Sequence, residues 1–142
     1  MHMQGDPRTM QNAPRYADVV AEVRGFLAER IAACRAAGIA GDAIAIDPGF
    51  GFGKNAAHNL ALFRSLATFT TLGVPLLVGL SRKSLVGQLT GRPVAARLAG
   101  SIALAALAAE HGAAIVRAHD VAETVDALRV GAALGRGRGG SG

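Results

Sequence analysis

Three groups of residues able to do chemistry stand at the same kind of place along this 142-residue chain. Asp47 stops the apolar run IAI and opens the loop PGFGFGKN, in which glycine and phenylalanine alternate before Lys54. Gly79 follows the run VPLLV and leads into Ser81, Arg82, Lys83 and Ser84. Arg117 and His119, separated by Ala118, close the run AAIV just before Asp120. An ionised carboxylate accepts hydrogen bonds from paired donors on a ligand, and lysine and arginine supply donors of their own. If residues 114–119 are extended, period-two alternation puts Arg117 and His119 on one side, about 7 Å apart. Two donors at that spacing, beside a helix starting near residue 120, suit an anion such as a phosphate group.

Each residue alone has a plainer reading. Asp47 before Pro48 is equally a turn former. Lys54 or Lys83 taken singly is a solvated charge, and His119 a satisfied histidine near a helix start. The joint pattern of acid, lysine and Arg-x-His at three successive strand ends is what favours a site. Spacing removes the competing motifs. A P-loop needs glycine where Pro48 stands and Ser or Thr where Asn55 stands. The loop reads G-x-G-x-G, not the dinucleotide pattern G-x-G-x-x-G. The sequence has no Cys/His set with zinc spacing and no G-x-S-x-G elbow.

The elements that must position these residues follow from periodicity. A helix is predicted over residues 14–37, with Val19, Val23, Phe26, Leu27, Ile31 and Cys34 on one stripe and Gly38 as its cap. A second runs over 55–72 through Leu60, Phe63, Leu66 and Phe69 to Gly73. A short helical piece capped by Ser81 carries Lys83 and Ser84, an alanine-rich helix covers 94–110, and Asp120 with Glu123 forms a capping box for a last helix. Strands are predicted at 43–47, 74–80 and 114–119, with Ala43, Ala45 and Asp47 on one side of the first and Ile44 and Ile46 on the other. The order α-βα-βα(α)-βα with near-continuous apolar strands predicts a parallel sheet covered by helices, with ligands at the carboxyl ends. A doubly wound sheet and a (β/α)8 barrel both fit. A whole barrel needs about 250 residues, so the chain is expected to be the second half of something larger, residues 1–12 being the exit of another strand.

Composition sets limits. Hydrophobic residues make up 51% and aromatics 4%, with no Trp, so the core must be built from Ala, Leu, Val and Ile. The single cysteine, Cys34, excludes an internal disulfide and fits a reducing cytoplasm. A net charge of +5 invites a nucleic-acid reading, but Arg136 and Arg138 lie in a Gly/Arg tail over 135–142 that is expected to be disordered. The remaining basic residues form no stripe interleaved with aromatics, so no nucleic-acid partner is expected. No apolar run reaches the roughly 18–20 residues of a membrane span, and the N-terminus lacks the apolar core of a signal peptide.

The segments MHMQGDPRTMQ, IDPGFGFGKN, GLSRKS and VRAHDV, in this order, resemble the dihydropteroate synthase family over the chain as far as about Val130. The resemblance implies the C-terminal half of a (β/α)8 TIM barrel, with a partial pterin-binding domain over residues 1–134. It implies a transferase of folate biosynthesis that joins 6-hydroxymethyl-7,8-dihydropterin pyrophosphate to p-aminobenzoate, in competition with sulfonamides. At the matching positions Asp47 would read the amino and amide edge of the pterin, Lys83 would donate to its ring acceptors, and Gly79 and Met1 would line the flat pocket. Arg117, the Ala118 backbone and His119 would bind pyrophosphate, while Phe52 and Ser84 would lie near p-aminobenzoate. Mg²⁺ is the family's expected metal, but its asparagine ligand belongs to the N-terminal half, expected to lie outside this chain with roughly the first four strands. Turnover by this chain alone is therefore expected to be impaired. The alternative is a non-catalytic pterin- or phosphate-binding half-barrel that needs a partner half. A homodimer contact typical of the family would fall on helix 94–110.

Overall fold

The computed structural model describes residues 1–6, 8, 10 and 14–135. In chain order it contains α1 (Val19–Ala36), α2 (Ala56–Arg64), α3 (Leu66–Thr70), β1 (Leu77–Val78), α4 (Ser84–Thr90), α5 (Leu98–Glu110), β2 (Ile115–Val116) and α6 (Val121–Gly135). Short 3-10 turns occupy Gly41–Ala43 and Val94–Ala96, so the alanine-rich helix starts later than predicted. Gly135 ends α6, and the rest of the expected tail, 136–142, lies outside the described residues.

Helix α1 also starts later than its periodicity predicts. Asp18 caps it by accepting from the N–H groups of Val20 (2.9 Å) and Ala21 (3.0 Å), while Glu22 accepts from Ala17 (2.8 Å) and Asp18 (3.0 Å). Arg15 is instead held by the Gln4 side chain, which donates to its carbonyl (2.8 Å) and accepts from its N–H (3.1 Å). A Schellman motif closes α1, with Gly38 N–H on Arg35 O and Ile39 N–H on Cys34 O, both 3.0 Å. The predicted stripe is the buried one, at Val19, Val23, Leu27 and Ile31. Each such side chain contributes about 1.5–3 kcal/mol on burial. The helix predicted over 55–72 is two helices. At the break, the Ser65 carbonyl accepts both the N–H (2.9 Å) and the hydroxyl (2.7 Å) of Thr68, which tightens the chain into i, i+3 geometry.

The strands are shorter than predicted. Residues 41–43 turn, with Gly41 O accepting from Ile44 N (3.3 Å), and Ile46 alone bridges Leu76 in parallel. Strands β1 and β2 are parallel, with Leu77 opposite Ile115 and Val78 opposite Val116. On the other side, Asp47 O accepts from His2 N (3.0 Å), so residue 2 lies alongside 47. The two faces differ as the alternation predicts. Ile44, Ile46, Leu76, Val78 and Leu80 join Leu27, Phe50, Leu62, Leu66 and Phe69 in one core. Ala45 and Arg117 are exposed on the opposite face, and Ile115 is 41% exposed. Asp47, Gly79 and Arg117 consequently lie at the same, carboxyl-terminal end of neighbouring extended segments. No described helix is long and apolar enough to cross a membrane.

Candidate functional site

Gly79, Ser81, Lys83, Arg117, Ala118 and His119 line an open cleft of ≈ 210 Å³ at the strand ends. The Arg117 guanidinium lies across Gly79, where a Cβ would come within 2.9 Å of Arg117 Nη2. The absence of a side chain there lets Arg117 cross β1 and reach Asp47, with Nη2 4.0 Å from Oδ2. Asp47 Oδ1 accepts from the Gly49 N–H at 2.7 Å. Lys83 Nζ donates to the Phe50 carbonyl and stands 4.6 Å from the centroid of the Phe52 ring, a cation–π contact. Burial lowers the Lys83 pKa from its ordinary value and the Arg117 charge adds to this, while Asp47 opposes it.

The site residues named from sequence divide by place. Asp47, Gly79, Lys83, Arg117, Ala118 and His119 come together. Phe52 joins through Lys83 and is not part of the cleft lining. Ser84 is exposed as the first residue of α4, and Met1 is 55% exposed beyond the His2–Asp47 contact.

Lys54 is not the solvated charge that its type suggests. It is 3% exposed, and its ammonium donates to His2 Nδ1 (3.0 Å), Gly49 O (2.9 Å) and Phe52 O (3.0 Å). The tight turn between Gly49 and Phe52 aims carbonyls inward, and a long donor is needed to satisfy them. Burial pulls the Lys54 pKa from 10.5 down to about 8. Burial, with the Lys54 charge beside it, pulls His2 down to about 4, so the imidazole is neutral and its Nδ1 accepts. Gly49 and Gly53 have φ +71 and +63, and Cβ atoms there would stand 1.8 Å from His2 O and 2.3 Å from Gln4 O. Tyr16 donates its hydroxyl to Gly53 O (2.9 Å), and Asn59 accepts from Gly51 N (2.9 Å) while donating to Asn55 O (2.8 Å). The loop is thus tied from both sides. Sequence reasoning missed His2, Tyr16, Lys54 and Asn59 as its supports. Lys54 alone carried a signal, since it directly follows turns whose carbonyls lack helical or sheet partners.

The 81–84 segment is corrected too. Lys83, not Ser81, occupies the N-cap position of α4, without a side-chain bond. Ser81 Oγ instead meets His119, at 3.1 Å from N and 3.0 Å from Nδ1. Asp120, expected to cap α6, turns both carboxylate oxygens to Arg82, with Nε 3.1 Å from Oδ2. That hydrogen-bonded pairing holds the Asp120 carboxyl below its ordinary pKa. Arg97 donates to the carbonyls of Arg82 (2.9 Å) and Lys83 (3.3 Å). Among the described residues no three His, Cys, Asp or Glu side chains cluster to hold a metal ion.

The model of the pterin binding enzyme family matches residues 1–119. The chain is 56% identical over 130 residues to dihydropteroate synthase of Escherichia coli (strain K12), covering 92% of this chain and 46% of that protein. The solved structure of Yersinia pestis dihydropteroate synthase in a sulfonamide drug complex matches with a TM-score of 0.92 at 48% identity, covering 96% of this chain and 50% of that one. Dihydropteroate synthase from Xanthomonas albilineans in complex with 7,8-dihydropteroate matches at 0.84 and 55% identity, over 85% of this chain and 47% of that one. The chain spans about half the length of the relatives it matches, and its parallel βα units correspond to half of a (β/α)8 barrel. Since the family model covers most of the chain, including the residues that meet at the cleft, the chain belongs to the pterin binding enzyme family.

Proposed function

We propose that this chain supplies the pterin- and pyrophosphate-binding part of a dihydropteroate synthase, the transferase joining 6-hydroxymethyl-7,8-dihydropterin pyrophosphate to p-aminobenzoate. The observation that carries the reading is the convergence of Asp47, Lys83, Arg117 and His119 at one end of the sheet. Asp47 accepts from the amino and ring N–H donors of the pterin, and Lys83 leaves the Phe50 carbonyl to donate to ring acceptors, with Gly79 and Met1 beside the ring. Arg117 exchanges its long contact with Asp47 for the pyrophosphate, which the Ala118 backbone and His119 also bind. Those donors act where negative charge develops as the methylene carbon–oxygen bond breaks and pyrophosphate leaves with the electron pair. The amino nitrogen of p-aminobenzoate, placed near Phe52 and Ser84, forms the new bond to that carbon and releases a proton. Sulfonamides compete for this second position. Mg²⁺ belongs to the proposal only as a companion of the pyrophosphate, and no step runs through it.

Calorimetry with the pterin pyrophosphate is the test. The chain is expected to bind it, and Asp47→Ala and Arg117→Ala each to weaken binding at least about tenfold, as for loss of a charged hydrogen-bond partner. Absence of binding to the parent rejects the reading. A second reading, a non-catalytic half that needs a partner half, is favoured by the open sheet face at Ala45 and Ile115. Binding without turnover in a two-substrate assay selects it, and turnover comparable to that of a full-length enzyme discards it.

A homodimer is part of the same proposal. The larger exposed apolar face lies on α6, where Thr124 is the buried residue and Leu134 is 73% exposed, and not on α5. Between α5 and α6 a cavity of ≈ 330 Å³ is lined by Ala106, Ala109, Leu128, Gly131 and Ala132 among others. Sedimentation that finds only monomer at micromolar concentration would discard the dimer. A cytoplasmic location is proposed on the free thiol of Cys34.

A further inference from the structure

At the Arg117–His119 end of the cleft, the His119 ring meets a residue outside the charged set. Ser81 Oγ lies 3.1 Å from the His119 amide nitrogen and 3.0 Å from His119 Nδ1. The amide N–H can only donate, so it occupies a lone pair of the hydroxyl oxygen. The hydroxyl's one proton has no other acceptor among the described residues, and Nδ1 is placed to take it. Neither partner is free to drift. Arg82, next to Ser81, has φ +59 and is fixed by Ser101 Oγ on its N–H (2.9 Å) and Arg97 on its carbonyl (2.9 Å). Ser101 is itself buried and donates to Arg97 O at 2.7 Å. The Arg82 guanidinium then grips the carboxylate of Asp120, the residue after His119. The Ser81–His119 contact is therefore clamped by an ion pair between the neighbours of its two members.

We propose that Ser81 is a positioning residue that, whenever the His119 imidazole is uncharged, holds it in the Nε2–H tautomer, leaving Nε2 as the donor offered to an anion in the cleft beside Arg117 and Ala118. A ring nitrogen's role is set by the bond its partner nitrogen makes, and here that bond is to Ser81. The ligand part of the inference rests on the pyrophosphate reading above, whereas the tautomer does not.

Long-range ¹H–¹⁵N NMR of the labelled chain in alkaline buffer reads the tautomer directly, with His119→Gln identifying the ring among the four histidines. The parent is expected to show a protonated Nε2 and a bare Nδ1. Ser81→Ala should move both ring nitrogens toward the averaged values of an exchanging imidazole, and Ser81→Thr should restore the parent signature. A protonated Nδ1 in the parent, or ring shifts unmoved by Ser81→Ala, overturns the inference. Calorimetry with inorganic pyrophosphate supplies the second arm, in which Ser81→Ala weakens binding a few-fold to about tenfold and Ser81→Thr does not. Equal affinity in Ser81→Ala overturns the role in anion binding. A parent that shows the tautomer yet binds no pyrophosphate refutes the anion site and leaves the Ser81–His119 assignment standing.

Discussion

Replacing Lys54 by Met tests whether a buried cation holds the glycine-rich loop. Methionine keeps much of the stem's volume and removes the ammonium, so three bonds disappear, to His2 Nδ1 (3.0 Å), Gly49 O (2.9 Å) and Phe52 O (3.0 Å). Bonds to a charged group contribute about 1.5–3 kcal/mol each. Against them stands the cost of burying the charge. The fall in pKa from 10.5 to about 8 corresponds to about 3 kcal/mol. The bonds outweigh that cost, and Lys54→Met should lose about 1.5–6 kcal/mol at neutral pH, read by urea denaturation followed by circular dichroism. The sign of the pH dependence is a second check. The folded pKa lies below the unfolded one, so between about pH 8 and 10.5 the unfolded chain binds more protons. Across that window the parent should gain up to about 3 kcal/mol relative to the variant as pH rises. A loss below about 0.5 kcal/mol, the scale of an ordinary surface substitution, would refute the reasoning. So would parallel stability curves for parent and variant across the window.

Three further outcomes follow from the same contacts. Gly49→Ala places a Cβ 1.8 Å from His2 O at a φ of +71, and should cost about 3 kcal/mol or more in denaturant titration, whereas parent-like stability would contradict it. The His2 ring, with a folded pKa of about 4 against 6.5, should resist protonation in an NMR titration, and the stability it supports should fall as pH drops from about 6.5 to 4. Titration of that ring at its ordinary value would show that it is not held against Lys54. Gly87→Ala puts a Cβ 2.2 Å from Arg97 Nη2 and so displaces the guanidinium from the carbonyls of Arg82 and Lys83. Gly87→Ala and Arg97→Gln should each cost about 1–2 kcal/mol and the double variant hardly more, and additive losses would break the link between them.

Much of the fold was legible because it is written locally. The stripe at Val19, Val23, Leu27 and Ile31 names the buried face of α1, and the glycines at 38 and 112 stand where Schellman closures fall. What local reading missed was competition from nearby polar groups. The Ser65 break turns on a Thr68 hydroxyl that takes the same carbonyl as its own N–H. The late start of α1 turns on Gln4, which holds the Arg15 backbone across 11 residues.

The sequence by itself determined that Asp47, Lys83, Arg117 and His119 gather at one end of a parallel sheet, because strand period and the βα alternation fix which end and which side each occupies. Only the tertiary structure decided what each of them touches. Lys54 meets His2 across 52 residues, and Ser81 meets His119 across 38, as Arg82 meets Asp120. Periodicity assigns a side chain to a face. Its bonding partner depends on which distant segment the packed core brings within about 3 Å, and no local pattern encodes that distance.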